Sequence, residues 1–402
     1  MMKVLVLGNG AQGSVVARHL GKEQGVREII CADHSLDAAK KLEKTVKKAK
    51  AVQVDAHSID AITKAANGVA LIVNALPPDF NPNVMEAALR VGAHYQDLAT
   101  GPVEACGFIE SVTRELELGD KFKQAGLSAL ICAGSAPGLT SILGRHSADQ
   151  LETCERIEIL MYDAIWTKRF IPFWWSPSTA FGDMAMRPTI WKDGEFVEVQ
   201  PFGDPKMIDI PGIGPRRMVY HQHEECITYG LFIQGLKHAG LRYGGANLEY
   251  AEKLYRHGLL GMEPVEVKGA KITPLDLVCQ LTPPAPSTAE EIKAVVDEGI
   301  EIEEGALVVR VEGKKDGRNI RIDNCIAAPG LTEASEKYGM SHETVITGQC
   351  AFLFAKLFVN GKIDLKGVFP PEELTLTTRT YYLQEAAKLG ITVDEITQIH
   401  LP

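Results

Sequence analysis

Over its first third the chain alternates two hydrophobic patterns. Short apolar-rich stretches occur at residues 3–7, 28–33, 51–54, 70–73, 94–99 and 128–132. Runs of this kind read as strands buried on both faces of a parallel sheet. Between them, residues 35–48, 58–66, 82–91 and 102–125 place apolar positions three and four apart, the period of a helix covering one side. Six strands with helices between them predict an α/β, doubly wound parallel sheet. A further apolar helix is expected at 139–148.

The pattern then changes. Residues 155–162 alternate as in a half-buried strand. Residues 163–215 are rich in Pro, Gly and aromatics and hold all four tryptophans: Trp166, Trp174, Trp175 and Trp191. Strands are predicted at 217–221, 264–272, 306–312 and 318–327, with a hairpin turn at 313–317. Helices are predicted at 274–281 and 289–297, the second capped by Ser287. This half reads as an antiparallel or mixed sheet. Residues 342–359 form a helix that is apolar nearly all round, ending at Gly361. Such a helix must be buried, and it is expected to pack back on the first domain.

The first strand runs into Gly8-Asn9-Gly10-Ala11-Gln12-Gly13, which opens a helix. In this pattern Gly8 allows a tight turn, Gly10 lets the backbone approach a pyrophosphate, and Gly13 lets the helix lie close to the strand. The helix start then offers free N–H groups and a positive dipole end to phosphates. Asp33 ends the second strand twenty residues beyond Gly13, where an acid can hydrogen-bond the adenosine ribose hydroxyls. Asp55 ends the third strand, and Asn74, Ala75 and Leu76 follow the fourth, at the same carboxyl edge. Ser135-Ala136-Pro137-Gly138 makes a second glycine turn, with Ala136 and Pro137 expected to edge the nicotinamide. The Asp33 carboxylate would repel a 2′-phosphate, and His34 and Ser35, not an arginine, follow it. NAD is therefore expected, with NADP disfavoured.

At 402 residues the chain is expected to form two or three domains. A net charge of −10 argues against a nucleic-acid partner. No apolar run reaches membrane-spanning length, and no leader pattern precedes the first strand, so no membrane association and a cytoplasmic location are expected. The eight cysteines, including Cys106, are scattered without a CxxC pair and read as reduced core residues.

The glycine fingerprint, His94-Tyr95-Gln96-Asp97-Leu98, Ser135-Ala136-Pro137-Gly138-Leu139 and Gly367-Val368-Phe369-Pro370-Pro371-Glu372 together resemble the saccharopine dehydrogenase-like family. The hairpin at 311–318 is similar to its lysine 6-dehydrogenase branch. Saccharopine-forming members tend to carry Asp before the Pro-Gly of the central turn, where this chain has Ala136. The resemblance implies a Rossmann dinucleotide-binding domain interrupted by a mixed α/β catalytic and dimerisation domain. The divisions expected are 1–133 for the Rossmann domain, 134–340 for the catalytic domain, and 341–402 for C-terminal helices returning to the first. It also implies a homodimer and NAD(P)-linked oxidation of a carbon bearing nitrogen. The expected substrate is a small amino acid or amine, foremost the lysine side chain. A saccharopine or carboxynorspermidine-type dehydrogenase, or a nucleotide-bound sensor without catalysis, are the alternatives.

Such chemistry needs a general base, a cation for a substrate carboxylate and a dry hydride path. Asp97 ends a strand at the edge where ligands bind and is a candidate base or ammonium partner, or else a helix cap. Tyr95 shares its face and is a candidate substrate contact, or core. Arg216-Arg217 and His221-Gln222-His223-Glu224-Glu225 form a dense polar cluster. There Arg217 could hold a carboxylate and His223 could serve as base. Arg187 and Arg242 are rivals to Arg217. Trp174 and Trp175 mark a lid over substrate or a dimer contact. His221 and His223 lie on one face of a strand, but with no third ligand evident no metal is expected.

Overall fold

The computed structural model describes residues 1–101 and 107–400. The chain divides into two units. The first comprises Met1–His146 and Thr344–Thr392; the second comprises Ser147–Glu343 and the residues from Val393 on.

The first unit is built on seven strands: β1 (Met2–Leu7), β2 (Val26–Asp33), β3 (Ala49–Gln53), β4 (Leu71–Asn74), β5 (His94–Asp97), β6 (Ser128–Leu130) and β17 (Gly367–Phe369). Their order is β17-β6-β5-β4-β1-β2-β3, and every pairing is parallel. The apolar runs have their physical cause here. Val4, Leu5, Val6, Leu71, Ile72 and Val73 are fully buried, as strands covered by helices on both faces require. The strand order reverses between β1 and β4, which leaves a crevice at their carboxyl ends.

The long helix predicted at 102–125 differs. Its start, with Pro102 and Cys106, lies outside the described residues. The described part is two helices, Phe108–Leu116 and Gly119–Gln124. Gly119 is a poor residue for a helix interior. Gly367 lets β17 approach this helix closely, since a Cβ there would lie 3.3 Å from the Gly119 carbonyl oxygen.

The apolar helix His342–Val359 packs on the first unit from Thr344 onward. Gln96 donates to the Ala351 carbonyl at 2.8 Å, and the His19 ring stacks on Phe352 at 4.8 Å. A Cβ on Gly348 would meet Val15 at 2.5 Å, so the glycine sets how near this helix comes to the helix Ala11–Leu20.

In the second unit the strands are β7 (Thr153–Thr167), β8 (Thr189–Lys192), β9 (Glu195–Glu198), β10 (Lys206–Ile210), β11 (Gly214–His221), β12 (His238–Gly245), β15 (Ile300–Lys315), β16 (Arg318–Ala327) and β18 (Thr392–His400). They form a mixed sheet in the order β10-β11-β12-β7-β15-β16-β18, with β8 beside β12 and β9 beside β8. β12 and β7 are parallel, whereas β15 runs antiparallel to both β7 and β16.

Four expectations are corrected. Residues 264–272 are a hairpin, β13 (Val265–Val267) and β14 (Ala270–Ile272), because Lys268 and Gly269 both take positive φ and reverse the chain. The cap of the helix Ala289–Glu298 is Thr288, which forms a capping box with Glu291; Ser287 also bonds the Glu291 carboxylate. β11 ends at His221, so His223 stands beyond the strand. Finally, the last residues do not return as helix to the first unit. After the helix Leu376–Lys388 the chain enters β18, whose Glu395 accepts from Gln150 at 2.9 Å.

The two faces of this sheet differ in chemistry. On one, Arg242 lies 3.7 Å over the Tyr220 ring and donates to Glu158 and Asp204, while Arg310 pairs with Asp323. On the other, strand pairing aligns Leu241 with His221 and Gly245 with Asp163. Side chains two apart share a face, so His221, Tyr243 and Asp163 lie together. Among the described residues no helix is long and apolar enough to cross a membrane.

Candidate functional site

The glycine loop of the first unit fits a dinucleotide. A Cβ on Gly13 would overlap the Gly8 carbonyl, and one on Gly8 would lie 2.8 Å from the Ala75 carbonyl oxygen. A Cβ on Gly10 would meet nothing within 4 Å, so the loop is open on that side alone. Gly10 is also the N-cap of the helix Ala11–Leu20 and supplies no side-chain cap, which leaves first-turn N–H groups for an anion. The side-chain oxygens of Asn9 and Gln12 are buried without a hydrogen-bond partner among the described residues. Asp33 is 7% exposed. Its two oxygens accept from the Asn9 and Ser35 N–H groups at 2.6 and 2.8 Å, so the acid also shapes the glycine loop. Asp55 is exposed and accepts from the His57 N–H at 3.0 Å.

Behind the crevice lies a buried polar chain. Asn74 donates to Asn81 at 2.7 Å and accepts from the Leu76 N–H at 3.3 Å. Asn81 donates to Glu115 at 2.8 Å and to the Ala99 carbonyl at 2.9 Å. Tyr95 is fully buried in the core, where its hydroxyl accepts from Asn74 at 3.4 Å. That burial makes Tyr95 core, the second of the two readings its sequence position allowed, and not the candidate substrate contact. Asp97 is 1% exposed and accepts from the Cys132 N–H at 2.8 Å. Cys132 has φ +58°, so this carboxylate fixes a residue in the left-handed region at the exit of β6. The turn that follows is tied by Gly134 donating to the Pro137 carbonyl at 2.9 Å, with a cis peptide between Ala136 and Pro137. A Cβ on Gly138 would overlap Gly134.

The second unit holds a concentration of buried acids. His223 pairs with Glu225 and lies 3.5 Å from Glu224. Both glutamates are buried, and Asp183 joins them from the helix Pro177–Ala185. Burial opposes the charge on His223, but Glu225, Glu224 and Asp183 outweigh it and push its pKa up to about 9. Asp183 is raised to about 7 by burial and by Glu224, against His223. Its Oδ1 is buried with no hydrogen-bond partner among the described residues. His221 is lowered to about 3, by burial and then by His223.

The His221 ring lies 5.4 Å from that of Tyr243, beyond which a second group begins. Asp163, His342 and Glu343 bring their ligand atoms within 4.8 Å of one another. Gly245, at φ +125°, lets the helix Ala246–Arg256 start against β7, where a Cβ would overlap the Asp163 carbonyl. That start sets Asn247 on the Asp163 carboxylate at 3.3 Å. Burial raises Asp163 to about 6, with His342 opposing and Glu343 adding to the rise; Glu343, half-exposed beside His342, is shifted upward by partial desolvation. His223, Glu224 and Glu225 form a similar three-donor group. Here Glu224 and Glu225, not His221, surround His223, a change from the sequence-based picture of two histidines on one strand.

The remaining candidates are corrected by their partners. Arg217 is held by Glu252 at 2.9 Å, and Arg242 is fully buried on Glu158 and Asp204, so their carboxylate partners come from the chain itself. Trp174 is 5% exposed and packs with Ile171, Ile292, Val295 and Leu331, its ring 6.1 Å from that of His342. Core packing, not a lid, fixes it. Sequence reasoning missed Asp163, Asp183, Asn247, His342 and Glu343. Of these only Glu343 carried a signal, an acid in the first turn of an otherwise apolar helix.

The family profile described as saccharopine dehydrogenase NADP binding domain matches residues 4–130. The one described as saccharopine dehydrogenase C-terminal domain matches 134–391. Carboxynorspermidine synthase of Vibrio cholerae is 27% identical over 400 residues, covering 93% of this chain and 92% of its own. Carboxyaminopropylagmatine dehydrogenase of Synechocystis is 25% identical over 412 residues, covering 98% of each. In fold, the chain is similar to apo saccharopine dehydrogenase (L-Glu forming) of Saccharomyces cerevisiae, with TM-score 0.71, 17% identity and coverage of 99% and 100%. Homospermidine synthase of Legionella pneumophila, solved with NAD, gives TM-score 0.69 at 13% identity, covering 99% of this chain and 91% of that one.

Proposed function

The chain belongs to the saccharopine dehydrogenase family, and on that premise we propose that it interconverts a carboxylated polyamine with its imine, as a carboxynorspermidine-type dehydrogenase. It is an NAD(P)-dependent oxidoreductase acting on an amine substrate. The observation that carries the finer reading is the clustered acid of the second unit: Asp183, Glu224 and Glu225 at one group, Asp163 and Glu343 at the other, joined through His221 and Tyr243. Two separate acidic groups suit a substrate with more than one ammonium. Oxidation of the lysine side chain, the reading the sequence favoured, gives way to this one because the relatives named above act in carboxynorspermidine and carboxyaminopropylagmatine chemistry by name.

In the oxidative direction the secondary ammonium loses a proton and the adjacent carbon loses a hydride. The C=N bond so formed takes up water and splits to a free amine and an aldehyde. The nicotinamide dinucleotide supplies or accepts the hydride. In this proposal Asp183, raised to about 7 by burial and by Glu224, takes the ammonium proton at neutral pH. His223 stays protonated there, paired with Glu225 and beside Glu224, and the group keeps an excess of acid once Asp183 ionises. Asp97 holds the turn after β6 through the Cys132 N–H and so positions the cofactor crevice.

The test is NAD(P)H absorbance with purified protein and carboxynorspermidine, L-lysine or saccharopine in turn. Turnover of carboxynorspermidine with little from the other two is expected. Turnover of lysine alone would overturn the reading. NAD is the preferred form in this proposal. Asp33→Ser then shifts the ratio of kcat/KM for NADP over NAD upward by roughly tenfold or more, from loss of like-charge repulsion. Both absolute values fall as well, because the Asn9 N–H loses its acceptor. An unchanged ratio would remove Asp33 from cofactor choice.

A further inference from the structure

The two oxygens of a substrate carboxylate are best matched by the fork of an arginine that the fold has not already used. The second unit has ten arginines: Arg156, Arg169, Arg187, Arg216, Arg217, Arg242, Arg256, Arg310, Arg318 and Arg321. Eight are held by carboxylates of the same unit. Arg156 and Arg242 are on Glu158, Arg169 on Glu298, and Arg216 on Glu304. Arg217 and Arg256 share Glu252, and Arg310 and Arg321 share Asp323. Of the other two, Arg318 opens β16 at the hairpin turn, paired with Lys315. In the same strand pairings Asp163 lies opposite Gly305, ten residues back along β15. That separates Arg318 from the acid groups by roughly 30 Å of extended strand.

Arg187 is placed differently. It follows the helix Pro177–Ala185, which carries Asp183, and lies just past its C-cap, Met186. Two residues on, the Thr189 N–H donates at 2.6 Å to the side chain of Gln222, which stands between His221 and His223. The backbone at Arg187 is thus tied to the acidic group at both ends, and the side chain is exposed. Resting on the proposed function above, we infer that Arg187 is the residue that reads the substrate carboxylate and so makes the site specific for a carboxylated polyamine over the same polyamine without the carboxyl. Its planar fork can hold both oxygens of a carboxylate, while the acids four residues and more away take the ammonium groups.

The test compares carboxynorspermidine with norspermidine, which differ by that one group, on the full-length protein with NAD bound. Calorimetric Kd and steady-state KM are both read. Arg187→Ala is expected to weaken carboxynorspermidine by about 10- to 100-fold, the range for losing a charged hydrogen-bonded pair. Norspermidine binding should change less than about twofold. Arg187→Lys should fall between, and Arg318→Ala should match the unsubstituted protein. If Arg187→Ala keeps the wild-type ratio of the two affinities, Arg187 is not the carboxylate reader, while the proposed function stands on the turnover of carboxynorspermidine. If the unsubstituted protein binds neither amine, both fall together.

Discussion

Replacing Gly13 with alanine is expected to abolish dinucleotide binding and to destabilise the first unit, whereas Gly10→Ala should spare stability and harm binding alone. The two glycines sit three residues apart in one loop, but their surroundings are opposite. A methyl at Gly13 would overlap the Gly8 carbonyl, a backbone atom that cannot rotate away. The helix must then move off the strand, at about 3 kcal/mol or more, as for severe overpacking. Free dinucleotide should bind at least about 100-fold more weakly, because the helix N-terminus and Asp33 no longer face one ligand. Gly10 meets nothing within 4 Å. Its alanine should leave the Tm within about 2 °C but raise the NADH Kd about tenfold or more, since the methyl stands where the phosphates approach. Fluorescence titration with NADH and thermal unfolding read the two effects separately. Wild-type NADH affinity in Gly10→Ala would place the phosphates elsewhere.

Asp183→Asn is the second large effect, and it should move stability and activity in opposite directions. Burial and Glu224 raise Asp183 from its ordinary value of 3.8 to about 7. An acid raised in the folded state is more easily kept neutral there than in the unfolded chain. Its contribution to stability is therefore fully present below about pH 4 and is lost as pH rises through about 7. His223, raised to about 9, acts in the same sense, being lost as pH rises through about 9. Asparagine cannot ionise, so the variant should gain about 2 to 4 kcal/mol at pH 8 and nothing at pH 4. Turnover should drop by about 100- to 1,000-fold, with the loss of the group that takes the proton. Urea unfolding at the two pH values, set beside initial rates at pH 8, checks both. A variant no more stable at pH 8 than the parent would mean that Asp183 is not a costly buried anion.

The first unit was largely legible because its signals are local. Residues 3–7 and 70–73 are apolar on both strand faces, and Gly8 to Gly13 must look alike in any chain that turns this way. Asp33 follows at a spacing set by one helix and one strand. The second unit was not, for reasons that lie in its own residues. Asp183 sits in a short helix between aromatics and glycine, where no periodicity marks it. Asp163 is one acid in a long strand, and only the left-handed Gly245 on another strand brings Asn247 to it. Arg217 and Arg242 looked available because nothing in their neighbourhood in sequence reveals Glu252, Glu158 or Asp204 as partners. Tyr95 and Trp174 show the same limit. An aromatic beside a polar residue reads as a contact surface, and only packing shows that both are interior. The weak pattern at 367–369 likewise hid β17, whose backbone pairs with β6.

The division of the chain has a consequence for how it is made. Neither unit is encoded by one uninterrupted stretch. The first lacks the helix from Thr344, the edge strand β17 and the helix Leu376–Lys388 until the whole of residues 147–343 has been translated. The second lacks β18 until later still. A nascent chain that has emerged only to residue 343 therefore exposes the side of β6 that β17 will cover and the faces of Val15 and His19 that the apolar helix will cover. Domains that fold as they leave the ribosome do so from the N-terminus. Here the dinucleotide half begins before the second unit and closes only after residues 147–343 have been synthesised, so a polypeptide cut short before Gly367 would carry two unfinished sheets.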